Sequence, residues 1–232
     1  MTKILHVTCS PLGQASSSHR LSQKIVVHLL KRDPTATLVN RVVGDGAISH
    51  IDDSYAAALG ATQQSPAEMF PEGSMSKSEE LIQELESSDF VVIGTPVHNF
   101  TVPSALKAWI DHVVRIRRTF NTTRNGYAGI LSDRPVFVAV SSGGRYSGER
   151  ARQPDFLTPY LRSILGIIGL HDLTFFSVEG SSLGPDVVAE ATTKVDRALH
   201  EYFSTFEPQS PRVGHVDFID GANSDQSNSM NA

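Results

Sequence analysis

Five short apolar runs, separated by segments with helical spacing, constrain this chain more than anything else in it. The runs are "KILHVTCS", "TATLVNRVV", "DFVVIGT", "PVFVAVSS" and "LTFFSVEG". They are nearly continuous in apolar residues, as strands covered on both faces must be. Between them, Leu21, Ile25 and Leu29, with Val26 and Leu30 beside them, recur at helical spacing until Pro34 stops the pattern. Leu106, Trp109, Ile110, Val113 and Val114 recur in the same way. Strand and helix in strict alternation predict an α/β chain: a doubly wound, five-stranded parallel sheet with helices on both faces.

Further helices are expected over "SKSEELIQELESS", with a capping serine and an acidic first turn, and over "DFLTPYLRSILGIIGL" and "PDVVAEATTKVDRALHEYF". Residues 44–76 read as a long connection with one short helix, and 115–132 as a second connection. Both are expected to wall a pocket. One domain is expected over residues 1–206, followed by a disordered tail over 207–232, where Ser, Asn and Asp are abundant and apolar anchors few.

The formal net charge of -5, with no basic stripe, excludes nucleic acid and anionic membrane as main partners. A single cysteine, Cys9, excludes a disulfide framework and a multi-thiolate metal site, so no metal is expected and a cytoplasmic setting is. The N-terminal apolar run is too short for a signal peptide or a membrane span.

In an open α/β sheet, ligands bind outside the carboxyl ends of the strands. Three loops leave such ends, and each is chemically unusual. "SPLGQASSSH" sets Ser10, Ser16, Ser17 and Ser18 just ahead of a helix, where hydroxyls and free N–H groups can converge on a phosphate; the plain alternative is a polar loop with a capping serine. It is neither a Walker loop nor a three-glycine dinucleotide fingerprint. "TPVHNFTVP" holds Asn99, with both an amide donor and an acceptor, between Pro96 and Pro103, and adds the flat faces of His98 and Phe100. Such a segment suits the polar edge of a planar heterocycle. "SSGGRYSG" offers Ser141 and Ser142 as donors, with Gly143 and Gly144 allowing close backbone approach or positive φ.

These three loops, in this order and spacing, resemble those of the FMN-dependent NADH-azoreductase and NAD(P)H quinone reductase family. "TFNTTRNGYAGIL", "TPYLRSILGIIGL" and "VEGSSLGP" extend the likeness over roughly residues 3–203. The resemblance implies a flavodoxin-like fold, which five strands fit, and FMN as cofactor. It implies that Ser10, Ser16, Ser17 and Ser18 bind the phosphate, that Pro96, Val97, His98, Asn99 and Phe100 line the isoalloxazine, and that Ser141, Gly143 and Gly144 touch its far side. NADH or NADPH would reduce the flavin and a quinone or azo compound would then take two electrons, in ping-pong order. No catalytic triad is needed, because the cofactor carries the chemistry, and His98 and Asn99 are candidate tuning residues. The family often has Met and an aromatic where Val97 and His98 stand, and Gln where Ser17 stands. It also pairs two chains near the flavins, which matches the reading that a helix carrying Trp109 and Val113 has apolar surface left for a homodimer.

Two other readings compete. One is a flavin-binding electron carrier without its own reductase activity. The other is a serine esterase at Ser182, since "GSSLG" fits the nucleophile-elbow pattern after a strand, although only one helix follows to carry an acid and a base.

Overall fold

A computed structural model describes residues 1–60 and 73–207. The five apolar runs become β1 (Lys3–Thr8), β2 (Thr37–Val42), β3 (Phe90–Pro96), β6 (Val136–Ser142) and β7 (Leu173–Glu179), paired in parallel in the order β2-β1-β3-β6-β7. The expected tail falls, from residue 208 onward, outside the described residues, as do residues 61–72 of the first connection. No helix among the described residues is long and apolar enough to cross a membrane.

Alternation along the strands splits the core into two layers. Leu5, Val7, Val91, Ile93, Val136 and Val138 meet α3 (Ser74–Glu86), α4 (Ser104–Val113) and α5 (Leu157–Ile167). Ile4, Val92, Phe137, Ala139 and Phe176 meet α1 (Ser17–Arg32) and α6 (Pro185–Thr205) on the opposite face. Burial on both sides explains why the central strands β1, β3 and β6 read as unbroken apolar runs.

Three expectations change. The short helix of the first connection is α2 (Asp53–Gly60), but α3 starts at Ser74, ahead of the expected serine and without an acidic first turn. Its cap comes from elsewhere in the chain: Asp52 accepts the Ser74 N–H at 3.0 Å through Oδ2 and the Tyr55 N–H at 2.8 Å through Oδ1, so one carboxylate serves two helix starts.

The second connection contains an antiparallel hairpin, β4 (Phe120–Thr123) with β5 (Gly126–Gly129). It is seated at the amino end of the sheet, with Leu131 N–H bonded to Ile168 C=O at 3.1 Å and a Cβ on Gly129 falling 2.3 Å from Gly169 N. Within its own chain it therefore does not wall a pocket at the carboxyl edge.

The face of α4 read as spare is core: Trp109 and Val113 are buried, as are His112 and Arg115 beside them. Arg115 is tied to Glu79 at 2.5 Å, and Arg118 bridges Glu79 and Glu86. That helix leaves no apolar stripe for a second chain.

Candidate functional site

The chain leaves β1 for β2 on one side and crosses to β3 on the other, so the sheet's switch point lies between the carboxyl ends of β1 and β3. The first two chemically unusual loops emerge there. Val43 and Gly44 donate to the Thr8 C=O at 2.9 and 3.1 Å, and Cys9 N–H donates to Gly94 C=O at 2.9 Å, which fixes the first loop's origin. Burial pushes the Cys9 thiol up, so it stays protonated and acts as a small strand-end residue.

Ser10, Ser16 and Ser18 are all buried at this edge. The Ser10 hydroxyl accepts the Leu12 N–H at 3.2 Å, while Ser16 Oγ and Ser18 Oγ lie 2.9 Å apart. Ser16 is the N-cap of α1 but caps no backbone N–H with its side chain. The first intrahelical bond runs from Arg20 N–H to Ser16 C=O, so the Ser17, Ser18 and His19 amides have no acceptor within the helix, whereas the Ser16 N–H already donates to Gly13 C=O at 3.1 Å. Ser17 is partly exposed and accepts from Arg20 Nη2 at 3.1 Å; Arg20 Nη1 also holds Ala15 C=O at 2.7 Å. The guanidinium thus stands beside the helix start and adds positive charge to it, a contribution sequence reading missed because Arg20 looks like an ordinary surface residue.

Close approach of α1 to the sheet makes this arrangement possible. A Cβ on Gly94 of β3 would fall 2.6 Å from Ser22 Oγ and 3.2 Å from Ser18 C=O. Ser22 in turn sits 2.8 Å from His6 Nε2 of β1 and donates to His19 C=O at 2.9 Å.

After β3, Val97 N–H donates to Ser141 C=O at 2.8 Å and His98 and Thr101 exchange both backbone bonds, at 2.9 and 3.0 Å. Asn99 and Phe100 occupy the two central positions with φ of 49° and 69°. Positive φ at both is the pattern of the type I′ turn, which favours Asn then Gly. Asn99 satisfies that preference and Phe100 contradicts it. His98, Asn99 and Phe100 are all exposed, Pro96 and Val97 partly so. A phenylalanine held in the left-handed region while still half-exposed is strain with little packing return, which is the mark of a residue kept for what it touches. Phe100→Gly is therefore expected to stabilise the fold by about 1 kcal/mol. Urea midpoints measure this, and a loss of stability would show that the ring packs instead.

The third loop lies across β6. Ser141 and Ser142 are buried, and Ser142 Oγ accepts from Gln153 Nε2 at 2.9 Å. Neither Gly143 nor Gly144 has positive φ. What they permit is contact with the protein itself: a Cβ on Gly143 would fall 2.7 Å from Ser182 Oγ and one on Gly144 2.2 Å from Gln153 Oε1. Glu179, which sequence reading did not single out, anchors the loop by accepting Tyr146 N–H at 2.8 Å and Ser147 Oγ at 2.5 Å. Burial pushes the Tyr146 phenol up to about 12.

Ser182 is exposed, and its N–H donates to Gly143 C=O at 3.1 Å. No histidine bonds its hydroxyl among the described residues, so it lacks the base an esterase needs. A separate cleft of about 530 Å³ lies between β7 and α6, beyond the 145–150 loop, floored by Phe175, Phe176, Val187 and Val195. Its Arg145, Arg150 and Lys194 are matched by Glu149, Glu179 and Glu190, so it selects neither sign of charge.

A switch point with a serine-lined helix start on one side and a strained aromatic turn on the other is the arrangement that known proteins can be compared with. Residues 2–203 match the family described as having a flavodoxin-like fold. The chain belongs to that family. Within it, the chain is 45% identical over 199 residues to FMN-dependent NADH:quinone oxidoreductase 4 of Pseudomonas fluorescens, covering 86% of this chain and 94% of that one. It is 44% identical over 189 residues to FMN-dependent NADH:quinone oxidoreductase 5 of Burkholderia lata, covering 82% and 89%. Among solved structures, an azoreductase from Bacillus anthracis superposes with a TM-score of 0.75 at 21% identity, covering 89% of this chain and all of that one. That likeness carries the flavodoxin-like fold alone.

Proposed function

We propose that this flavodoxin-like chain is an FMN-dependent oxidoreductase that uses NADH or NADPH to reduce quinones and azo compounds in ping-pong order. The observation that carries the reading is the juxtaposition at the β1/β3 switch point of a serine-lined helix N-terminus with an exposed, strained Asn99–Phe100 turn. The two relatives named as FMN-dependent NADH:quinone oxidoreductases support it over nearly their whole length.

The residues fit the cofactor. Ser16 and Ser18, the amides of the first turn of α1 and the Arg20 guanidinium together suit a phosphate dianion, helped by the helix dipole. Ser10 and Ser17 complete that loop, with hydroxyls already engaged within it. Pro96, Val97, His98, Asn99 and Phe100 would hold one edge of the ring, and Ser141, Gly143 and Gly144 the other. Bound there, FMN supplies two-electron transfer between nicotinamide and acceptor. The protein's work is to orient donor and acceptor in turn over one face and to exclude competing reactions. In balance, NADH gives up a hydride, and a quinone takes two electrons and two protons, one of them from solvent, to become the hydroquinone. An azo bond needs two such rounds for full cleavage.

We further propose a homodimer in the cytoplasm. Its interface does not use the buried α4 face, and exposed Leu12 and Leu183 at the carboxyl edge are apolar residues available for it. The testing experiment is direct. Purified protein is expected to show flavin absorbance, to oxidise NADH with menadione and no partner protein, and to scatter light as two chains. Flavin without turnover would favour the electron-carrier reading.

A further inference from the structure

We infer that Phe156 determines which acceptors the site takes, forming with Phe100 an aromatic rim that selects planar arenes; the inference rests on the oxidoreductase reading above. Phe156 lies where the loop from β6 enters α5, at the same carboxyl edge as the Asn99–Phe100 turn. Its N–H donates to the Phe100 C=O at 3.2 Å, so the two residues are joined across loops that are far apart in sequence. Phe156 is 57% exposed and Phe100 46%.

The position of Phe156 is fixed rather than loose. On one side Asp155 Oδ1 accepts the Leu157 and Thr158 N–H groups at 3.0 and 2.9 Å, capping α5. On the other, Leu157 is buried in the core. A backbone held between a cap and a core anchor, with more than half of a large apolar residue left exposed, contributes little to folding. It does contribute to binding, because a ring already in place loses little freedom when a flat partner stacks on it. Aromatic pairs favour offset or edge-to-face contact, so a bicyclic quinone or an azo arene gains from the rim, whereas a small inorganic acceptor gains nothing.

The test compares wild type with Phe156→Ala and Phe156→Leu, the second keeping apolar bulk without the ring. Flavin content and molecular mass are expected to be unchanged. The KM for menadione should rise about three- to tenfold in the alanine variant, as a lost aromatic contact implies, with kcat retained and ferricyanide turnover unaffected. Calorimetric titration with naphthalene-2-sulfonate, a redox-inert bicycle, should show the same loss of affinity, with the leucine variant between the two. Unchanged KM and unchanged naphthalene affinity in a flavin-loaded variant would overturn the inference. Loss of flavin or a change in mass would also overturn it, by showing that Phe156 serves structure or assembly. Wild type that holds no flavin would instead refute the oxidoreductase reading, and the inference with it.

Discussion

Replacing Ser16 and Ser18 together by alanine is expected to weaken FMN binding about a hundredfold or more. Both hydroxyls are buried, lie 2.9 Å from one another and stand at the start of α1, where the amides have no intrahelical acceptor. In the free protein the pair bonds internally; around a phosphate each hydroxyl can turn its proton outward. A hydrogen bond to a charged group is worth about 1.5–3 kcal/mol, so removing two costs about 3 kcal/mol or more of affinity. Ser10→Ala is expected to cost less, because its Oγ already accepts the Leu12 N–H and serves the loop. Titrating FMN into stripped protein, read by quenching of flavin fluorescence, gives the three dissociation constants. A double variant within about threefold of wild type would remove the phosphate from this loop. Thermal melts of the stripped proteins separate lost contacts from lost fold.

What the sequence reveals here follows from periodicity. Ile4, Leu5, Val91, Val92, Val136 and Phe137 face two apolar layers, and that requirement is written as unbroken runs. Leu21, Ile25 and Leu29 mark the buried stripe of α1 by spacing alone. The three loops stand out because a parallel sheet gathers its strand ends on one edge. The hairpin of β4 and β5 was not legible, since "FNTT" and "GYAG" are short and mostly exposed, and so carry no alternation. Nor was the start of α3, because Asp52 caps it from 22 residues upstream and no local pattern reports such a bond.

The candidate site was legible in its residue types more than in its strain. Asn99 before Phe100 hides a type I′ turn, because the glycine that announces such turns is missing. Phe156 was invisible for another reason: an apolar residue at the head of an apolar helix reads as core. Only its exposure and its bond to Phe100 set it apart. Trp109 misled in the opposite direction, its apolar surface being wholly taken up by its own chain.

Behind the serine loop, His6 is expected to make the fold acid-sensitive between pH 6.5 and about 4. It is buried, with Nε2 2.8 Å from Ser22 Oγ and Nδ1 3.2 Å from Asn40 Oδ1, and the His19 ring lies 5.9 Å away. Ser22 already donates to His19 C=O, so the imidazole donates to Ser22 through Nε2. A neutral ring then accepts at Nδ1, which requires the Asn40 amide to turn its nitrogen toward it. Burial holds the imidazole neutral and lowers its pKa to about 4, and the charge of His19 adds to the shift. The unfolded chain takes up this proton near pH 6.5, before the folded chain does, so stability rises with pH across the window. It is fully present above pH 6.5 and is lost as pH falls to about 4. The shift corresponds to about 3 kcal/mol. His6→Gln removes the titrating group while keeping an amide that can reach Ser22, and its unfolding free energy should fall less than that of wild type over the same range. Urea unfolding at intervals from pH 7.5 to 4 measures both slopes. Parallel slopes would overturn this, by showing that His6 takes up its proton over the same pH range in the folded protein as in the unfolded chain.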